Sequence, residues 1–391
     1  MQAIDAGLYW QLPGPRAFVQ KIASTINAAR VLVVNLPHTM VPGTRDGFLR
    51  GLQDAHIREP ISLVVRRGTD IGSDVGMHFD KRRLTGSHLA DVRARSETAV
   101  ILQAEDSAAQ TLCEQYTMEF MAAVPHSRGS VRLVSTIHDP SLQGHSHIGN
   151  VQLITFDGGL TADEMDAYVG LRMISRPGPG STRLVRTIVS EFAGFDVRFA
   201  ERLIHLDDSQ ILGIREQLHH LLGEDPYRWY PLEWLKGSAS IVTSIPHVLH
   251  DFYLSQQGAA PQKEEAAERI ARRYWRACLK AVTPWLEERR NDVLRHFHAQ
   301  LVEIAANDPS HQIPVPIGNN KFRHVDPEEV EFNNIVGLHY AKKLHAISAQ
   351  EQQALRVCRS TKYVRDDIAH MRAPQTTDLI NLIAEMDGLT R

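Results

Sequence analysis

Val31-Leu32-Val33-Val34-Asn35-Leu36 is a compact run of β-branched and aliphatic residues. A loop with proline and glycine follows, from Pro37 to Gly43, and Arg45 to Ala55 then carries Phe48, Leu49 and Leu52 on one helical face. Four more short apolar runs read as strands: Ile61–Val65, Ala99–Leu102, Val131–Ile137 and Val151–Phe156. Helical stretches fall between several of them, notably Ser107–Val124. Buried strands alternating with helices predict an α/β module with a parallel sheet.

The pattern changes after residue 160. Thr161 and Glu164 form a capping box, with the hydroxyl at the N-cap and the carboxylate three residues on. The helix they open, Asp163–Met173, carries Met165, Tyr168, Val169 and Met173 as a packing stripe. Beyond a turn-rich break at Ser175–Gly180 the reading is almost wholly helical: Thr182–Phe192, Val197–Leu206, Gln210–Leu222, Lys263–Val282, Pro284–Asn307 and two last helices. Asp225–Ser255 is less regular, Gln256–Gln262 reads as a linker, and Asp308–Val325 is irregular. An all-α C-terminal half is therefore expected, with domains at 1–160, 161–255 and 256–391.

Composition bounds the chemistry. The 391 residues suffice for roughly two or three domains with a large core. With 43 Lys+Arg against 46 Asp+Glu, the net charge of −3 excludes a global basic field for nucleic acid, so any RNA site is a local patch. Arg66-Arg67, Lys81-Arg82-Arg83, Arg272-Arg273 and Arg289-Arg290 are candidate patches, or ordinary solvated faces. Three scattered cysteines without a CxxC propose no cysteine zinc site and fit a reducing compartment. No leader pattern or membrane-length apolar run is present, so a cytoplasmic protein is expected. His145-Ser146-His147, near His138 and Asp139, lacks a specified third ligand, and neither a metal nor a cofactor is proposed.

The strand–loop–helix at 31–55 stands where a P-loop protein keeps its phosphate cradle. The Gly-x-x-x-x-Gly-Lys-Ser/Thr pattern is absent, and Gln103 follows the apolar run Ala99–Leu102 where an aspartate would bind Mg²⁺. In element order the first 220 residues resemble an AAA-like or STAND-like module with a helical lid, P-loop-like in layout but without a Walker A sequence. The missing residues leave a degenerate scaffold or sensor and an unconventional nucleotide site as the alternatives.

Near the C-terminus the chain reads Arg365-Asp366-Asp367-Ile368-Ala369-His370, followed by Pro374 and a last apolar stripe, Leu379, Ile380, Leu382 and Ile383. A guanidinium can hold a phosphate and an imidazole can move protons near neutral pH, which together suffice to cut RNA without a metal. Arg365, Asp366, Ala369 and His370 resemble the signature of the HEPN superfamily of all-α domains. Tyr274-Trp275-Arg276 and Pro284-Trp285-Leu286 match its preceding long helices more loosely. The resemblance covers the last third of the chain and implies a HEPN-like bundle there. It implies a regulated, metal-independent endoribonuclease of a bacterial anti-phage defence system, with the N-terminal module as sensor or oligomerisation platform. Arg365 and His370 would be catalytic, with Asp366 orienting the arginine, and Arg359 and Lys362 would contact RNA phosphates. The implied partners are single-stranded RNA, a second copy of the chain in a homodimer or larger assembly, and other defence subunits, with no membrane. Two rival readings stand beside it: a non-catalytic HEPN scaffold or RNA-binding subunit of a larger complex, and an ATP-driven AAA/STAND-like switch.

Overall fold

The computed structural model describes residues 6–36, 44–54, 56–57, 59–94, 98–105, 107–137, 146–148, 151–156, 158–174, 176, 181–223, 246–318 and 321–389. The chain forms two compact units, one of residues 1–168, 195–201 and 229–247, the other of residues 169–194, 202–228 and 248–391. The segment 161–255 is thus shared between both.

The first unit holds a six-stranded sheet in the order β2-β3-β4-β1-β6-β5. Its strands are β1 (Val31–Asn35), β2 (Glu59–Val65), β3 (Thr98–Ala104), β4 (Arg132–Ile137), β5 (His147–Ile148) and β6 (Val151–Thr155). All pairs are parallel except β5 with β6. Every residue of β1 and β3 is buried, as expected of strands covered on both faces. On one face Val31, Val33, Val100, Leu102, Leu133 and Leu153 meet Cys113, Tyr116 and Phe120 of helix Ser107–Ala123. On β1 and β6 packs helix Pro13–Ala28, where Phe18 stacks on Phe156 with ring centroids 4.1 Å apart. Chain connections from β1 and from β4 leave in opposite directions across the sheet, and such a switch point is where open α/β sheets take ligands.

Asp70-Ile71-Gly72-Ser73-Asp74 starts helix Ile71–Met77. Asp70 caps it by accepting from the Ser73 N–H at 3.2 Å. The glycine in its last turn is steric: a Cβ on Gly76 would lie 2.7 Å from the Lys81 carbonyl.

The second unit is built on helix Ala260–Arg295, against which helices Ser181–Ala193, Val248–Gln257 and Ala349–Ala369 pack. The sequence divides this stretch at Pro284, yet the helix runs through it. Proline removes one backbone donor and crowds the preceding turn. Burial of Ala277, Cys278, Ala281, Val282 and Leu286 along one stripe outweighs that cost. The expected linker at Gln256–Gln262 reduces to a tight joint at Gly258 and Ala259, with proline in the first turn of the long helix. Tyr274 donates to the Leu212 carbonyl at 2.6 Å and the Trp275 indole to the Ile368 carbonyl at 2.8 Å, fixing the helix at mid-length.

The stretch expected to be irregular after Asp308 is a hairpin of β7 (Ile313–Gly318) and β8 (Lys321–Val325). Ile313, Pro314 and Val315 are all buried, and an isolated pair of strands has the free edge that prolines need. Among the described residues no helix is long and apolar enough to cross a membrane.

Candidate functional site

Helix Ala349–Ala369 carries the C-terminal motif. Its start is secured by a capping box: Ser348 Oγ accepts from the Glu351 N–H at 3.1 Å, and Glu351 Oε2 accepts from the Ser348 N–H at 2.8 Å. Its buried face is Ala354, Leu355, Val357, Cys358, Thr361, Val364 and Ile368. Its end is a Schellman motif, with Met371 N–H on the Ile368 carbonyl at 3.1 Å and Arg372 N–H on the Asp367 carbonyl at 2.8 Å. Met371 takes the left-handed conformation (φ 56°) that glycine adopts more readily. The stop is therefore made by the backbone three residues before Pro374.

The motif residues face different ways. At 100° per residue Arg365 and His370 lie about 140° apart around the axis. Arg365 turns toward the packed side, half-buried, and its guanidinium donates to Glu331. Glu331 is also the N-cap of helix Phe332–Tyr340, in a reciprocal box with Asn334. Arg365 thereby ties two helices together. His370, at the C-cap, is exposed, and its backbone N–H bonds the Asp366 carbonyl at 3.0 Å. Asp366 is half-buried and Lys362 exposed. Arg359 lies over the Tyr340 ring, 5.7 Å from its centroid. On the same wheel Arg359, Lys362, Asp366 and His370 fall within roughly 80° of one another. The structure thus groups four of the five expected site residues and sets Arg365 apart.

The exposed His370 imidazole is open to a bound ligand. Arg365 engages Glu331 through one guanidinium nitrogen, so a phosphate there competes with that carboxylate. Sequence reading did not single out Glu331. The Glu331–Asn334 spacing signals a helix start, but pairing with a residue 34 positions away is a tertiary fact.

Elsewhere the expected basic patches are largely engaged. Arg66 pairs with Glu105, Arg83 approaches Asp70 at 3.5 Å, and Arg289 meets Asp292 at 3.2 Å. Arg273 is not on the surface at all: it is 3% exposed beside the fully buried Asp251. Pro37–Gly43, where a phosphate cradle would sit, and His138, Asp139 and His145 lie outside the described residues. Gln103 is buried in β3. Among the described residues no group of three metal-binding side chains occurs. Burial pushes the Cys113 and Cys278 thiols up to about 12, which removes them as nucleophiles near neutral pH. No family profile matches the chain, and no curated protein matches it.

Proposed function

We propose that the chain is a metal-independent endoribonuclease of HEPN type acting on single-stranded RNA. The observation that carries the reading is the exposed His370 on the same helical face as Arg359 and Lys362. In this reading His370 assists attack by the ribose 2′-OH or protonates the leaving oxygen. Arg359 and Lys362 hold flanking phosphates. Arg365, released from Glu331, stabilises the charge on the scissile phosphate, within one chain or across a two-fold axis. The products carry a 2′,3′-cyclic phosphate or a 3′-phosphate, and DNA resists because it lacks the 2′-OH. The switch point of the parallel sheet supports a ligand-sensing role for the first unit. A defence setting follows from the HEPN resemblance.

A second reading has its own support. The Arg365–Glu331 pair and the wide angle to His370 suit a HEPN-like scaffold that binds RNA without cutting it. Cleavage of labelled single-stranded RNA in EDTA separates the two, using wild type, Arg365→Ala and His370→Ala at matched purity. The nuclease reading expects wild type to cut and both variants to lose at least about 100-fold, the scale of general acid–base catalysis. Equal cutting by all three sinks it, and binding without cutting by wild type selects the scaffold.

A further inference from the structure

Among the described residues the three most exposed aromatic rings lie within 42 positions of one another: Phe322 (53% exposed), Tyr340 (70%) and Tyr363 (65%). A cation accompanies each. Lys343 Nζ stands 5.8 Å from the Phe322 centroid, and the Arg359 guanidinium stands 5.7 Å from the Tyr340 centroid. Tyr363 is four residues after Arg359 on the same helix, so the two are surface neighbours. Lys343 follows Tyr340 by three residues, just past the helix that ends there. Phe322, Lys343, Tyr340, Arg359 and Tyr363 therefore form a chain of alternating rings and cations. On the helical wheel it continues to Lys362 and His370, roughly 16 Å along the axis from Arg359.

Rings in water carry a cost unless something covers them, and large exposed apolar groups in one patch mark interaction sites. Lys343, Arg359 and Lys362 stand here in a chain of net charge −3. Asp366 and Asp367 stand on the same helix, Asp367 paired with Arg372 at 3.1 Å, and Asp308 lies near Lys343. Rings alternating with positive groups match a polymer whose flat bases alternate with phosphates, because each base offers a π-face and each linkage a negative charge. A duplex hides its base faces and does not fit.

We propose that this strip, Phe322–Lys343–Tyr340–Arg359–Tyr363, is a stacking track for single-stranded RNA that delivers the strand to His370. It rests on the reading of His370 as part of an RNA site, and it adds rings that contribute affinity largely independent of base sequence.

The test is fluorescence anisotropy with a labelled 2′-fluoro oligoribonucleotide of about twelve pyrimidines, which lacks the attacking hydroxyl. The proteins are the wild-type chain, Tyr340→Ala, Tyr363→Ala and Tyr363→Phe. Expected is about a tenfold or larger loss of affinity in Tyr340→Ala and in Tyr363→Ala. Tyr363→Phe, which keeps the ring, should bind as wild type does. The exposed position of Tyr363 leaves its variants folded, which circular dichroism checks. Three results overturn the track: ring variants that bind unchanged, a duplex of the same length bound as tightly, or an acidic peptide bound in place of RNA. Light scattering adds a fourth: a dimer lost in the alanine variants with unchanged affinity per protomer makes the face a self-interface. Normal binding with no cleavage of natural RNA removes the nuclease reading and leaves the track standing. Cleavage with KM unchanged by ring removal does the reverse.

Discussion

The parallel sheet and the long helix bury their interiors by different means. In β1, β3 and β4 the buried polar side chains are neutral: Asn35, Thr98, Gln103, Ser135 and Thr136. Around helix Ala260–Arg295 the interior holds charge. Asp251, 0% exposed, accepts from Arg269 at 2.8 Å and lies 3.9 Å from Arg273, which itself donates to the Glu191 carbonyl at 2.9 Å. Arg276 and Lys280 bind the Glu191 carboxylate at 2.9 and 2.8 Å. A sheet has its hydrogen bonds satisfied by the ladder and needs only apolar contact on its faces. Helices packed side by side need something to specify which turn meets which, and a buried ionic cluster can do that at a cost in desolvation.

The sharpest way to break the comparison is to cut each region at its centre. Phe120→Ala should destabilise the sheet unit by about 3–5 kcal/mol through a cavity, with little dependence on pH. Asp251→Ala should cost the helical unit about 3–5 kcal/mol by stranding Arg273. Urea unfolding followed separately for each unit would test whether the two losses stay local. The pH dependence distinguishes them further. Burial, incompletely offset by Arg269 and Arg273, holds the Asp251 carboxyl above its ordinary 3.8. Between that value and the raised one, the native state keeps a proton the unfolded chain has lost. Stability therefore falls as pH rises through this window. Asp251→Asn should abolish that slope, and an unchanged slope would remove Asp251 as its source.

A smaller effect belongs to the cap. Ser348→Ala should cost about 1 kcal/mol at neutral pH. Hydrogen bonds from the Ser348 backbone and side chain hold the Glu351 carboxyl below its ordinary 4.5. The stabilisation is complete above that value and is lost as pH falls through the depressed one, so the gap between wild type and variant should close in acid. A gap that stays constant to pH 3 would mean the serine acts without the carboxylate.

The smallest expected change is a gain. Met371→Gly removes a Cβ from a left-handed residue and should raise stability by roughly 0.5 kcal/mol, net of the extra freedom glycine has when unfolded. Thermal melts would register it. A more stable but less active protein would tie the backbone strain next to His370 to function. A variant that melts at a lower temperature would mean the Met371 side chain contributes packing that outweighs the strain.

Much of the architecture was legible because the relevant interactions are local or periodic. Five of the six strands from Val31 to Phe156 declared themselves by apolar runs, His147–Ile148 being the exception, and the cap at Thr161 follows a three-residue rule that depends on backbone geometry alone. Misreadings came where one local signal met a non-local one. Pro284 signals a break, and the buried stripe of a 36-residue helix overrides it. Pro314 and Pro316 argue against a strand, and a two-stranded hairpin with a free edge admits them.

The candidate site divides the same way. The sequence by itself determined that an arginine and a histidine share one helix, five positions apart, and helical periodicity alone sets them on different faces. It determined the sheet's uncharged interior as well, because burying such strands requires chiefly complementary apolar faces. The tertiary structure decided the rest: that Arg365 belongs to Glu331, that Arg273 lies inside rather than on a basic surface, and that Tyr340 is brought beneath Arg359. Each is a pairing between segments distant in the chain. No sequence spacing encodes the distance between two charges or a ring and a cation until packing has placed their helices side by side.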